Sequence, residues 1–78
     1  MEKIATFHTT FGAQSFLRRL QERGDQTARI VPTPRKLSVS CGHAVTFTSE
    51  FCEDLVDEDT AGVYLEEAGA YRAIFEQD

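Results

Sequence analysis

The 78-residue chain has little of what usually staples a small domain: two cysteines, two prolines and two histidines. Cys41 and Cys52 are too few for the multi-bridge framework on which short secreted domains depend, so both are expected to be reduced thiols. Neither a CxxC pair nor a matching histidine pair is present, and His8 and His43 stand alone. No metal and no cofactor is therefore expected. No apolar run approaches the roughly 18 residues of a membrane span, and Met1–Glu2–Lys3–Ile4 leads directly into a strand-like pattern instead of a signal peptide. Contact with a membrane is not expected, and a cytoplasmic location is the default. A Gly-rich phosphate loop, a Ser/His/Asp set and paired carboxylates are also missing, which removes the usual grounds for hydrolase chemistry. There is no internal repeat and no low-complexity tract.

Each half of the chain is poor in charge of one sign. Residues 1–48 hold seven Lys/Arg against three acids, and residues 49–78 hold one Arg against ten, giving about +4 and −9 within a net charge of −5. Nucleic-acid binding draws its affinity from a basic surface that neutralises phosphates, so this balance argues against it. It permits an anion site in the first half. In the second half the acids either solvate an exposed face or offer a docking surface to a basic partner.

What is present suits a folded chain. With 41% hydrophobic and 27% charged residues it lacks the signature of disorder, and its length allows one domain, residues 1–78, around one modest core. Lys3 to His8 alternate as a first strand. Thr9 or Thr10 then caps a helix whose Ala13, Phe16, Leu17 and Leu20 share a face, while Arg18, Arg19, Glu22 and Arg23 point away and Gly24 ends it. Thr27–Val31 and Ala44–Thr48 read as strands, with Pro32 ending ladder donation. Ser49–Glu58 reads as a turn or short helix. Ala61, Tyr64, Leu65 and Ala68 recur at helical spacing before Gly69, which predicts a second helix, and Tyr71–Phe75 closes as a strand. Phe7, Phe11, Phe16, Phe47 and Phe75 are expected in the core. The order βαββαβ predicts an α+β, ferredoxin-like fold: a four-stranded antiparallel sheet with two helices on one face.

Chemistry concentrates in residues 32–43, a connection longer than a hairpin needs. Thr33–Pro34 suits the start of a helical turn carrying Arg35 and Lys36. Downstream, Ser38 and Ser40 offer hydroxyls to an anion, and Gly42 lets the backbone turn sharply or approach a ligand beside Cys41. One cation about 6 Å from the sulfur, at an effective dielectric of about 60, contributes only about 1 kcal/mol. A thiol near its ordinary pKa of about 8.5 needs two cations and backbone N–H groups to approach 7, so Arg35 and Lys36 must converge on it. Without that convergence Cys41 is an inert loop thiol. His43 and His8 are possible accessory proton carriers, with solvent-facing histidines as the competing reading. Cys52, among Glu50, Glu53 and Asp54, is the poorer nucleophile, either a resolving thiol for Cys41 or a half-buried structural one.

The string VPTPRKLSVSCGHAVTF, residues 31–47, resembles the hallmark segment of the Putative Se/S carrier protein-like family, in which a Pro-Arg element precedes a Ser-rich Cys-Gly step into a strand. ATFHTT resembles its first strand and helix cap, and LEEAGAYRAIF resembles its terminal helix, glycine and strand. That resemblance implies that Cys41 bears the chalcogen and that Arg35 helps hold the anion or donor. It also implies donor and acceptor proteins as partners, and a carrier in place of a true enzyme. Cys52 and the acidic stretch SEFCEDLVDEDT depart from the family pattern. Two other readings stay open: a non-catalytic interaction or regulatory module, and a thiol redox protein using Cys41 with Cys52. Oligomeric state is not legible.

Overall fold

The computed structural model describes residues 2–37 and 42–77. Strand β1, Lys3–Phe7, is followed by helix α1, Thr10–Glu22, then β2, Arg29–Pro32, and β3, His43–Phe47. Strands β4, Thr60–Glu67, and β5, Ala70–Glu76, complete the order, and two short 3₁₀ turns, Arg35–Leu37 and Glu53–Leu55, lie in the connections. The strands form one sheet in the order β2-β3-β1-β4-β5, with every neighbouring pair antiparallel. The α+β class thus stands. The ferredoxin-like βαββαβ order does not, because among the described residues there are five strands and one α-helix.

The missing helix is explained by local preference together with a distant pairing demand. Residues 60–67 fit two periods at once, and Thr60, Val63 and Tyr64 favour an extended chain while Gly62 costs about 1 kcal/mol in a helix interior. Central β1 also needs a partner on its second edge, which β4 supplies from Lys3 opposite Leu65 to Phe7 opposite Thr60. Gly69 is therefore not a helix stop. Ala68 and Gly69 have φ of 50° and 80° and form the two-residue hairpin between β4 and β5, where positive φ at both positions matches strand twist. Alanine is a poor choice there, because its Cβ crowds the backbone in the left-handed region. Ala68→Asn is expected to stabilise the domain by about 0.5–1 kcal/mol, raising Tm by roughly 2–8 °C. A lower Tm in a thermal melt would contradict this turn geometry.

Helix α1 begins where expected, with the Thr9 side chain accepting from the Gly12 N–H at 3.0 Å. It covers one face of the sheet. Phe16 is its central knob, with ring centroids 5.2 Å from Phe7 and 5.5 Å from Phe47, and Ala13 and Leu20 flank it. Phe75 packs at the margin against Phe51. Phe11 is not in the core; it sits in the first turn at 68% exposure, on the outer side of α1. Arg19 and Arg23 do not simply face away either. Arg19 Nε donates to Leu55 O at 3.1 Å and its guanidinium pairs with Asp57 at 3.2 Å. Arg23 reaches Cys52. Residues 52–59 thus lie beside the helix and, through the 3₁₀ turn Glu53–Leu55, place Leu55 in the core.

The other face is covered by less. Ile4 and Ala44 are buried there under Leu37, with Val31, Tyr64 and Tyr71 packed around them.

Candidate functional site

Residues 33–42 leave the end of β2 and return to the start of β3, and the excursion is closed by Thr33 N–H donating to Gly42 O at 3.0 Å. Leu37, buried at 7% exposure, is the anchor that draws the segment onto the sheet's second face. Its 3₁₀ turn is held by Leu37 N–H donating to Pro34 O at 3.0 Å, as the Thr33–Pro34 start suggests.

Arg35 and Lys36 are both exposed in that turn. Lys36 Nζ donates to Gly69 O at 2.9 Å, which carries its charge to the β4–β5 hairpin. The convergence required of Arg35 and Lys36 falls on Ser38, Ser40 and Cys41, which lie outside the described residues. Gly42 is exposed, and among the described residues nothing lies within 4 Å of where a Cβ would sit.

The two histidines reach the same end of the sheet. His43 opens β3 opposite Pro32, and His8 directly follows β1, donating its N–H to Asp59 O at 2.8 Å. Since Thr6 faces Ala44, this end holds His8, Gly42, His43 and the N-terminus of α1, where partial positive charge favours an anion. Cys52 lies elsewhere. Its sulfur is 3.3 Å from Arg23 Nη1, at the C-terminal end of α1, so a cation stands beside it in addition to Glu53 and Asp54. Gly42 and Cys52 consequently occupy opposite ends of β3.

Among the described residues, no three His, Cys, Asp or Glu side chains are grouped as metal ligands. None of the described helices is long and apolar enough to cross a membrane.

Tyr64, Tyr71 and Glu76 form, with Lys36 and Leu37, a groove on the second face. They were not singled out from sequence, because Tyr64 was assigned to a helix. The alternation of Gly62, Tyr64 and Glu66 was the available signal.

No curated protein and no solved structure matches this chain. The model of one family does match, over residues 2–71, a span that takes in β1, α1, the Pro-Arg segment, Cys41 and the β4–β5 hairpin. With four of the five strands and the thiol-bearing connection inside that match, the chain belongs to the Putative Se/S carrier protein-like family.

Proposed function

We propose that this domain carries selenium or sulfur on Cys41. In the loading step the Cys41 thiolate attacks the outer sulfur of a donor persulfide, R–S–SH; the new S–S bond forms as the donor's S–S bond breaks. The electron pair leaves with the donor as R–S⁻, and Cys41 holds a persulfide with no net oxidation. In the unloading step an acceptor nucleophile attacks the outer atom and Cys41 departs as thiolate. A selenosulfide donor follows the same balance with selenium as the outer atom.

The observation that carries this reading is family membership over a span that includes Cys41. Physical chemistry supports it at one point: Gly42, covalently next to Cys41, lies at the end of the sheet that also holds the N-terminus of α1. A thiolate is the nucleophile in both steps, and helix N-termini lower thiol pKa. Cys52 beside Arg23, at the opposite end of β3 from Gly42, gives no support to a Cys41–Cys52 redox pair, because a disulfide needs Cα atoms within about 7 Å.

Intact mass spectrometry after incubation with a persulfide or selenosulfide donor tests the proposal. Wild type and Cys52→Ser are expected to gain one chalcogen atom, and Cys41→Ser none. An unmodified wild type, with Cys41 titrating at its ordinary value of about 8.5, would sink it. Loss of two hydrogens that depends on both cysteines would identify redox chemistry instead.

A further inference from the structure

On the second face of the sheet, between the Arg35–Leu37 turn and β5, lies a cleft of about 480 Å³, a size usual for ligand sites. Its lining is Leu37, Ala70, the half-buried Tyr64 and Tyr71, and two charged groups, Lys36 and Glu76. The Tyr64 phenol lies across Gly62, where a Cβ would come 2.9 Å from its Oη. Gly62 faces Glu76 on β5 and Thr6 on β1, and Thr6 faces Ala44. One end of the cleft is therefore marked by Glu76, at the end of the sheet where Gly42 leads into β3. Lys36, whose Nζ is bonded to Gly69 O, marks the other end, and an ammonium has two further protons to give.

We propose that this groove seats the C-terminal tail of the protein that exchanges chalcogen with Cys41, an inference that rests on the carrier reading. The tail's free carboxylate sits on Lys36, apolar or aromatic side chains lie on Tyr64 and Tyr71, and a basic side chain three positions before the end meets Glu76. Length and charge select this occupant. Seven residues of β5 span roughly 20 Å, which matches four extended residues at about 3.3 Å each plus the reach of one long basic side chain. A free amino acid holds its two charges too close together to touch both ends. Orientation follows from the same polarity: the chain preceding the tail leaves the groove beside Glu76, and this brings the body of the partner to the end of the sheet where Gly42 lies.

Binding is read on the Cys41→Ser protein, so that no transfer intervenes, by amide NMR titration with the peptide Lys-Ala-Phe-Leu. The free acid is expected to shift Ala70, Tyr64 and Tyr71 and to bind about tenfold tighter than its C-terminal amide, the scale of one charge-assisted hydrogen bond. Lys36→Met should bring the acid down to the affinity of the amide. Glu76→Lys should reject this peptide and accept Glu-Ala-Phe-Leu. Equal affinity of acid and amide, or shifts confined to another surface, would overturn the proposal. Tail binding without chalcogen loading of wild type upholds the groove and removes the carrier reading; loading without tail binding does the reverse.

Discussion

Phe16→Ala is expected to destabilise the domain by about 3–5 kcal/mol, the cost of an aromatic truncation that leaves a cavity. Phe16 is fully buried and touches the rings of both Phe7 and Phe47, so it joins α1 to the two central strands of the sheet. Little else can close over the gap, because α1 is the only α-helix among the described residues and Phe16 is its central contact with β1 and β3. A domain of this length holds roughly 4–12 kcal/mol in total, so the variant should be partly or largely unfolded at 37 °C. Urea denaturation followed by circular dichroism measures the loss. Phe11→Ala supplies the contrast: at 68% exposure its stability should stay within about 0.5 kcal/mol of wild type. Similar losses from the two truncations would mean that the core is not organised around Phe16.

The same two phenylalanines show what sequence can and cannot resolve. Phe16 falls on the stripe with Ala13 and Leu20, so its burial follows from helical period alone. Phe11 has the same chemistry but lies off that stripe, and residue type without register misplaced it. Residues 60–67 failed for a different reason. Their apolar positions satisfy both periods, and the choice was settled by a distant demand, the unpaired edge of β1. Such a demand is invisible in a window of eight residues. Gly69 is ambiguous in the same way, since it ends helices and closes two-residue hairpins through the same positive φ.

Legibility of the site divides along similar lines. Excess length and Cys41–Gly42 within it single out the β2–β3 connection as the candidate, and of its residues Ser38, Ser40 and Cys41 lie outside the described ones. Chemistry demands that Lys36 converge on the thiol, a demand that nearness in sequence does not meet by itself, and its ammonium is bonded to Gly69, 33 residues on. A four-carbon stem can direct a charge to either side of a turn, and what decides here is the burial of Leu37, which fixes how the turn sits on the sheet. The groove was unreadable for a topological reason. It needs Tyr64 and Tyr71 on the same face as Leu37, and that follows only once β4 is known to be a strand.

Asp25 makes the second large prediction, and it comes from a buried clasp. At 8% exposure its carboxylate accepts from Thr27 N–H at 2.9 Å, from the Thr27 hydroxyl, and from Ser49 N–H at 3.1 Å. Lys3 Nζ secures the far side by donating to Ser49 O at 3.0 Å. The clasp ties the turn after α1 to the chain leaving β3. Burial by itself would raise the pKa of Asp25, but the hydrogen bonds from Thr27 and Ser49 outweigh it and hold the carboxyl well below the usual range. Asp25→Ala leaves Ser49 N–H without its acceptor and removes hydrogen bonds to a charged group, an expected loss of about 2–4 kcal/mol at pH 7. Asp25→Asn keeps one acceptor oxygen and turns an amide N–H₂ toward another donor, so it should lose somewhat less. The pH dependence has a definite sign. A carboxylate whose folded pKa is depressed contributes stability fully above its unfolded pKa of about 3.9, and that contribution disappears as pH falls from there toward the folded value. The gap between wild type and Asp25→Asn should therefore be widest at neutral pH and shrink steadily below about pH 4. Comparing the two proteins cancels the other carboxylates they share. Urea melts at pH 7, 4 and 3 read the gap directly, and a gap that stays constant over that range would show that Asp25 holds its neighbours by shape and not by charge.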